Sequence, residues 1–319
     1  MTRKRELRNV PASIHQRLLN LAHNQGIRFN LLLQRYAMER FLYRLAASPE
    51  VDRFTLKGAA LFRVWTGQEL RPTRDIDFLA SAPEDHAGLQ TSFQAICAVP
   101  CPQDGVIFDP ATMQMRDIRD EQPYGGVRVR MQGRLGQARL PLQVDIGFGD
   151  VITPEREERD YPTLLDLPAP RIWTYPRETL VAEKFDAMVS RGMTNTRVKD
   201  LWDIATLARR FAFDGETLRT AIEETLRRRQ TPLGRERPVA LTPSYYLDST
   251  RAQRWQVLRG QVGAAADGPT LLVHAGEELL RFLGPVCDSL LEGCPFTQAW
   301  SAGGPWRGGA RTREGGDRP

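Results

Sequence analysis

The chain has 319 residues, which is enough to bury a sizeable core in one large domain or two smaller ones. Its hydrophobic share of 41% and charged share of 26% exclude an intrinsically disordered chain, and no apolar run is long enough to span a membrane. The net charge of +5 is compatible with a polyanionic partner such as RNA but does not require one.

The N-terminus does not have the pattern of a secretory signal. Its first residues are mostly charged, and Val10-Pro11 follows where a signal has an apolar stretch. The four cysteines lie in two distant pairs without the spacing of a zinc site, so we expect reduced thiols. The sequence therefore predicts a cytoplasmic protein that contacts no membrane.

Helical spacing of apolar residues predicts two helices near the start of the chain. The first covers residues 13–25, where Gly26 is a suitable end. The second runs from Phe29 to Ala47 and stops before Ser48-Pro49. Beyond them, apolar and polar residues alternate in short segments, as in strands with one buried face. These segments cover residues 54–57, 75–79, 126–131 and 139–146.

From Pro176 onward the spacing of apolar residues is helical again. Residues 271–291 predict one or two helices, interrupted near Gly284-Pro285. We therefore predict an α/β fold, in which a mixed sheet with flanking helices precedes a helical C-terminal region. The predicted divisions are N-terminal helices (1–50), a sheet core (51–170), a helical C-terminal domain (171–300) and a disordered tail rich in Gly, Arg and Pro (301–319).

A glycine turn follows the first predicted strand, in the segment Lys57-Gly58-Ala59-Ala60, and a helical pattern begins directly after it. Such a turn presents backbone amides and a helix N-terminus to an anion, which suits a triphosphate. A glycine at a strand end is more often only a turn residue, so this segment alone leaves both interpretations open.

Two carboxylates lie two residues apart in the next predicted strand. Side chains at this spacing point to the same face, so Asp75 and Asp77 would lie side by side while Ile76 and Phe78 enter the core. Like charges this close repel, which implies a compensating cation, and hard oxygen ligands suit magnesium. Taken in isolation, such a pair is more commonly a solvated strand end.

A third carboxylate, Asp145, lies in the last predicted strand between Val144 and Ile146. An acid flanked by buried apolar residues in a sheet needs a partner more often than not. Three acids on adjacent strands would form a site for two metal ions.

Three segments together resemble the AbiEii/AbiGii toxin family, which includes the MenT toxins. They are residues 32–46, residues 54–61, and the run Arg71-Pro-Thr-Arg-Asp-Ile-Asp-Phe78. The resemblance covers about residues 10–290. This family shares the DNA polymerase β-like nucleotidyltransferase fold, which is marked by a glycine turn followed by D-x-D on the next strand. The resemblance implies a sheet of this nucleotidyltransferase type.

Roles for individual residues follow from the resemblance. Asp75, Asp77 and Asp145 are the implied catalytic carboxylates and the ligands of Mg²⁺, with two ions expected. Lys184 is an implied catalytic residue that binds a phosphate. The implied nucleotide-binding residues are Lys57, Gly58, Ala59, Thr73, Lys184, Lys199 and Asp203.

Some of these residues have simpler explanations. Lys184 could be a surface lysine whose stem lies on an apolar stripe. Lys199 and Asp203 are four residues apart and could form a pair within one helix. Ala59 departs from the family, in which a small polar residue often follows the turn glycine, so a hydroxyl contact to phosphate is impossible there. Phosphate binding would then be weakened, or carried by Lys57 and Lys184.

The resemblance also implies the reaction. A toxin of a toxin–antitoxin or phage-defence system would transfer a nucleoside monophosphate from a nucleoside triphosphate to an RNA, at the 3′ end of tRNA, and release pyrophosphate. A cognate antitoxin protein would be a partner. The residues expected to contact RNA phosphates are Arg71, Arg74, Arg128, Arg130, Arg197 and Lys199. An ordinary soluble surface explains the same residues.

Two other classes of function remain open. One is a nucleotide- or RNA-binding module with weak or lost turnover, which Ala59 would favour. The other is a metal-dependent nuclease, which would release a monophosphate rather than pyrophosphate. The glycine turn before the two acids favours transfer over hydrolysis.

Overall fold

The computed structural model describes residues 9–68, 70–82, 85–118, 125–262 and 268–308 of the chain. The chain divides into two compact units. The first contains Met1–Asp150 and Arg156–Tyr175, and the second contains Val151–Glu155 and Pro176–Pro319. The N-terminal helices thus belong to the same unit as the sheet, and this unit extends to Tyr175.

The described part of the first unit combines helices with strands. The helices are α1 (Val10–Gln25), α2 (Phe29–Ala46), α3 (Leu61–Thr66) and α4 (His86–Ala98). The strands are β1 (Phe54–Lys57), β2 (Asp75–Ala80), β3 (Val106–Ile118), β4 (Gly126–Leu135), β5 (Ala138–Phe148), β6 (Glu157–Asp160) and β7 (Arg171–Thr174). They form a seven-stranded sheet in the order β3-β4-β5-β2-β1-β7-β6.

Local signals explain where the first helix begins and ends. The Asn9 side chain accepts a hydrogen bond from the Ala12 backbone N–H at 3.1 Å, which caps the N-terminus of α1. Gly26 ends the helix in the left-handed conformation, with φ of 63°, as its position in the sequence predicts.

The sheet is mixed, and its pairing brings the acidic strands together. β2 runs parallel to β5 and antiparallel to β1, while β1 runs parallel to β7. α2 packs against β5 and α4 against β3, and their Phe41 and Phe93 rings lie 5.5 Å apart. Ile76 of β2 and Val144 of β5 are fully buried, so alternate residues of these strands lie on the opposite face of the sheet.

The described part of the second unit is mostly helical. Its helices are α5 (Arg177–Arg191), α6 (Val198–Arg210), α7 (Gly215–Arg228), α8 (Pro243–Tyr246), α9 (Ser249–Val262) and α10 (Leu272–Glu292). A small sheet, absent from the sequence-based expectation, contains β8 (Phe213–Asp214), β9 (Gln298–Trp300) and β10 (Trp306–Gly308) in the order β10-β9-β8. α10 continues through Pro285 without the expected interruption.

The predicted fold class is confirmed: an α/β chain with a mixed sheet, flanking helices and C-terminal helices. The predicted disordered tail (301–319) requires correction at its start, because residues 306–308 form β10. The Trp306 indole N–H donates to the Phe282 carbonyl at 2.8 Å, and the two rings stack at 5.8 Å. Residues 309–319 lie outside the described part of the chain.

None of the helices in the described segments is both long enough and apolar enough to cross a membrane.

Candidate active site

The glycine turn packs directly against one of the predicted catalytic acids. Lys57, the last residue of β1, pairs with Asp77 of β2 across the antiparallel ladder. Gly58 follows in the left-handed conformation, with φ of 73°. A Cβ atom at Gly58 would lie 2.1 Å from Asp77 Oδ2. The turn therefore requires glycine for two reasons, its backbone conformation and the carboxylate that occupies the space of a side chain.

Three predicted acids share one face of the sheet. Asp75 and Asp77 alternate with buried residues on β2, and the parallel register pairs Asp77 with Asp145 on β5. All three side chains are half-buried. The expectation that Asp75 and Asp77 point to one face agrees with this burial pattern.

Arg128 on β4 holds the third acid. The register places Arg128 opposite Asp145, and its Nε and Nη2 atoms donate to Asp145 Oδ1 and Oδ2 at 2.8 and 2.6 Å. These hydrogen bonds, together with the charges of Asp145, Asp75 and Asp77, raise the pKa of the Arg128 guanidinium, while burial opposes this rise. The guanidinium thus lies within the electrostatic field of all three carboxylates.

This salt bridge affects how the acids fit a metal ion. Asp75 and Asp77 present hard oxygen donors on one face, which is the chemistry that Mg²⁺ prefers. Both oxygens of Asp145 accept a hydrogen bond from Arg128, so a metal ion at Asp145 would share this carboxylate with the guanidinium. Among the residues that the structure describes, no group of three or more His, Cys, Asp or Glu side chains is arranged to hold a metal ion.

The other predicted nucleotide-binding residues of the first unit lie around the turn. Lys57 Nζ forms a salt bridge with Asp150 Oδ2 at 3.0 Å and lies 5.5 Å from the centre of the Tyr175 ring. Ala59 is buried, and Thr73 Oγ1 donates to the Asp75 carbonyl at 3.5 Å. Sequence reasoning missed Asp150, which follows the Gly-Phe-Gly segment at the end of β5.

Lys184, in contrast, lies in the second unit and is enclosed by carboxylates. Its Nζ is 2.8 Å from Asp200 Oδ1 and 2.8 Å from Asp203 Oδ2, and all three residues are buried. Burial alone would raise the pKa of Asp200, but Lys184 and Arg197 outweigh it and lower the pKa to about 2. Lys184 is therefore not a surface lysine.

Asp200 and Asp203 both lie on α6, and the structure shows which lysine pairs with Asp203. Lys199 is exposed, and Asp203 pairs with Lys184. The simpler explanation, a pair between Lys199 and Asp203 within one helix, is therefore wrong. Asp200 and Asp203 are three residues apart on α6, so both can reach the same cation. This spacing was the signal that could have identified Asp200 as a partner.

Arginines line the sheet face beside Asp145. Arg128, Arg130 and Arg134 alternate along β4, and the register pairs Arg116 of β3 with Arg128 and Arg139 of β5 with Arg134. Cross-strand partners point to the same face, so these five residues form one row, the arginine stripe. All of them are exposed except Arg128, which is half-buried.

The remaining basic residues expected to contact RNA are not part of this stripe. Arg71 and Arg74 lie in the segment before β2, and Arg197 and Lys199 belong to the second unit. Arg134 was not singled out from the sequence because it lies beyond the predicted strand 126–131. Arg116 and Arg139 were missed because only the strand register shows that they share a face with Arg128 and Arg134.

One family model matches most of the chain, and several solved structures are similar to it. The family model described as "Nucleotidyl transferase AbiEii toxin, Type IV TA system" matches residues 40–271. Among solved structures, JHP933 from Helicobacter pylori is 16% identical, with a TM-score of 0.49, over 82% of this chain and 94% of that chain. A candidate nucleotidyltransferase from H. pylori is 17% identical, with a TM-score of 0.48, over 83% of this chain and 98% of that chain. Comparison with curated protein sequences gives no match.

Proposed function

We propose that this chain, which belongs to the AbiEii nucleotidyltransferase toxin family of type IV toxin–antitoxin systems, transfers a nucleoside monophosphate to the 3′ end of an RNA, with tRNA as the acceptor. Family membership makes the chain a nucleotidyltransferase with a nucleoside triphosphate as substrate. It leaves the acceptor open. The observation that supports an RNA acceptor is the arginine stripe beside Asp145.

The arginine stripe has the chemistry of an RNA backbone site. From Arg128 to Arg134 it extends roughly 20 Å, at about 3.4 Å per residue along a strand. Arginine forks bind phosphate oxygens with two parallel hydrogen bonds and do not read base sequence. A folded RNA is positioned by such contacts through its shape and charge, as a tRNA acceptor requires. A small-molecule acceptor would not need a row of this length.

In the proposed site, the residues of the first unit hold the reacting groups. Asp75 and Asp77 are the proposed ligands of Mg²⁺, with Asp145 as the third acid, and the two hydrogen bonds from Arg128 orient Asp145. When bound, Mg²⁺ would neutralise triphosphate charge and lower the pKa of the attacking hydroxyl. A second ion, which the resemblance implies, would share the Asp145 carboxylate with Arg128. The Gly58 turn holds the Asp77 carboxylate against the end of β1.

The remaining assignments rest on fewer observations. Lys57, Ala59 and Thr73 surround the turn and are proposed to contact the nucleotide. For Lys184, Lys199 and Asp203, the family resemblance alone supports a role in nucleotide binding or catalysis. The type IV family also supports a cognate antitoxin as a protein partner.

The proposed function is tested by locating the label of an α-labelled nucleoside triphosphate after the reaction. The protein is incubated with Mg²⁺, total RNA and each α-labelled triphosphate in turn. The label should appear in the tRNA size class, with release of pyrophosphate. Periodate-oxidised tRNA, which lacks a usable 3′ hydroxyl, should accept none. Label on protein or on small molecules would refute the RNA acceptor, and release of monophosphate from RNA would instead indicate a nuclease.

A matched pair of double variants tests the arginine stripe itself. Arg134→Gln with Arg139→Gln removes two exposed charges of the stripe, and we expect the KM for tRNA to rise roughly tenfold and its salt dependence to weaken. Arg159→Gln with Arg171→Gln removes two exposed arginines on β6 and β7, near the other edge of the sheet. This control should leave the KM for tRNA unchanged. Equal effects of both pairs would contradict an RNA site on the stripe.

A further inference from the structure

The ion pair between Lys57 and Asp150 lies on the same face of the sheet as the predicted catalytic acids. Lys57 pairs with Asp77 across β1 and β2, and cross-strand partners point to one face. The register pairs Asp77 in turn with Asp145 on β5, so this face continues across three strands. Gly147 lies two residues after Asp145 and therefore belongs to the same face.

The position of the Lys57 ammonium is defined relative to β5. A Cβ atom at Gly147 would lie 3.6 Å from Lys57 Nζ and 3.9 Å from Asp150 Oδ2. The lysine side chain therefore crosses β2 and ends over β5, at the next position on this face after Asp145. Because Gly147 has no side chain, the ion pair can lie directly on the sheet at this point.

Asp150 reaches this point because the chain turns after β5. The strand ends at Phe148, and Gly149 adopts the left-handed conformation, with φ of 72°. The Asp150 carboxylate then lies over the strand, with Oδ2 at 3.0 Å from Lys57 Nζ. The centre of the fully buried Tyr175 ring is 5.5 Å from the same nitrogen. A carboxylate and an aromatic ring thus hold the ammonium from two sides.

This ion pair is well shielded from water. The side chains of Lys57 and Asp150 are 16% and 10% exposed, against 36% and 19% for Arg128 and Asp145. A lysine has a flexible four-carbon stem, so an ammonium without a fixed partner samples many positions. A shielded carboxylate in turn needs a cation. Each side chain of the pair therefore determines where the other lies.

A fourth carboxylate on this face would repel a triphosphate if it faced the substrate. Its presence is explained if it serves a cation that binds the substrate. Among the proposed nucleotide contacts Lys57, Ala59 and Thr73, only Lys57 carries a charge. Ala59 offers no hydroxyl, so the Lys57 ammonium is the side-chain group of this set best suited to a phosphate oxygen.

We propose that Asp150 is a positioning residue of the reaction: it holds the Lys57 ammonium over Gly147, where the ammonium binds a phosphate of the nucleoside triphosphate. Asp150 acts through Lys57 and touches no substrate atom. The inference rests on the proposed function, since it assumes that the triphosphate lies against Asp75 and Asp77. It makes the affinity for the triphosphate depend on a carboxylate outside the group of predicted catalytic acids.

The test measures triphosphate binding without RNA, so a failed acceptor assay leaves it intact. Dissociation constants of the four nucleoside triphosphates are measured by calorimetry in Mg²⁺. Asp150→Asn and Lys57→Met should each weaken the tightest of them about tenfold. The double variant should bind within about twofold of Lys57→Met, because Asp150 acts only through the ammonium. Asp150→Glu keeps the charge and should stay within about threefold of the wild type.

Turnover separates positioning from a structural role. In an assay of pyrophosphate release, Asp150→Asn should raise the KM for the triphosphate about tenfold and lower kcat less than about threefold. Glu278→Gln is the matched control, because it removes a carboxylate from a similarly shielded ion pair with Arg209 in the second unit. This control should leave both KM and kcat unchanged.

Four results would overturn the proposal. Unchanged or tighter triphosphate binding by Asp150→Asn would show that the carboxylate does not position Lys57. A further loss in the double variant would mean that Asp150 acts independently, as a metal ligand does. A fall in kcat with an unchanged KM would indicate a structural role. If Asp150→Asn does not fold, Gly147→Val displaces the ion pair but keeps both charges, and the dissociation constant should rise at least about threefold; no rise is the fourth such result.

The outcome for RNA is separate. Triphosphate binding that depends on both Asp150 and Lys57, without transfer of label to RNA, would refute the proposed acceptor and leave the role of Asp150 standing.

Discussion

The two units each contain a cluster of acids with a cation, and the clusters differ in exposure. In the first unit, Asp75, Asp77 and Asp145 are half-buried, and Arg128 reaches Asp145 from a neighbouring strand with 36% of its side chain exposed. In the second unit, Lys184 is 9% exposed, and the carboxylates of Asp200 and Asp203 are 3% and 0% exposed.

This difference in exposure separates two uses of charge. A partly exposed salt bridge contributes about 0–1 kcal/mol, so its partners can be exchanged for a ligand at little cost. A buried cation between two carboxylates cannot be removed without leaving charge in a medium of low polarity. The first cluster is therefore suited to bind and release ions, and the second is suited to hold its unit together.

The largest expected effect is on catalysis by the exposed cluster. Asp77→Asn removes a proposed metal ligand, and we expect pyrophosphate release to fall by about 10³-fold or more. Thermal stability should be unchanged or slightly higher, because repulsion between Asp75 and Asp77 is relieved. Asp166→Asn, which changes an exposed loop carboxylate, is the control and should retain full activity. Wild-type turnover by Asp77→Asn in Mg²⁺ would remove Asp77 from the site.

The next effect is on the stability of the buried cluster. Lys184→Met removes the cation that Asp200 and Asp203 share, and we expect the free energy of unfolding to fall by roughly 3–5 kcal/mol. For a unit of this size the Tm should fall by about 10 °C. Lys199→Met, on the exposed side of α6, should stay within about 0.5 kcal/mol. A Lys184→Met variant with normal Tm and no activity would instead support its implied catalytic role.

The sequence predicted features that depend on neighbouring residues in the chain. β1 occupies residues 54–57 as expected, and α1 ends at Gly26, because alternation and a left-handed glycine are local signals. β6 was missed, since its charged sequence Glu-Glu-Arg-Asp has low strand propensity and only its pairing with β7 makes it a strand.

The partners of the site residues could not be predicted in the same way. Asp145 was identified as an acid that needs a partner, but Arg128 became that partner only through the register of β4 on β5. Trp306 was assigned to a disordered tail because its neighbours in sequence are polar. Its packing partners, Phe282 and Trp300, are distant in sequence or separated by a turn. The sequence thus predicts candidate groups better than it predicts their contacts.

A smaller effect is expected from the glycine that contacts Asp77. Gly58→Ala places a Cβ atom 2.1 Å from Asp77 Oδ2 at a φ of 73°, and we expect a loss of about 2–3 kcal/mol together with reduced activity. Gly67→Ala is a matched control, because Gly67 has a φ of 70° and nothing within 4 Å of the added atom. It should lose about 1 kcal/mol and keep its activity.

A double variant isolates the steric contact between the turn and the acid. Combining Gly58→Ala with Asp77→Ala removes the carboxylate that the new side chain meets. The effects of the two substitutions on stability should then be non-additive, with a coupling of about 0.5–3 kcal/mol. Additive effects would mean that the turn and Asp77 do not restrain each other, and that Gly58 is required for its backbone conformation alone.

The smallest expected effect is on the pH dependence of stability, and it has opposite signs in the two units. The pKa of Asp200 falls from its usual 3.8 to about 2, so folding favours the ionised form. Its contribution is present above about pH 4 and is lost as the pH falls towards 2. The pKa of Glu39 is instead raised from 4.5 to about 7 by burial, so the contribution of Glu39 to stability weakens as the pH rises through this range.

We therefore expect Asp200→Asn to flatten the decline of Tm between pH 4 and 2, and Glu39→Gln to flatten the change of Tm between pH 4.5 and 7. Calorimetric Tm values across pH 2 to 8 for both variants and the wild type test this, and the slope is compared rather than the absolute Tm, since both variants also lose a charged partner. If Asp200→Asn leaves the slope of Tm between pH 4 and 2 unaltered, Lys184 does not hold Asp200 in its ionised form. The proposed difference between the exchangeable cluster of the first unit and the buried cluster of the second unit would then be contradicted for the buried cluster.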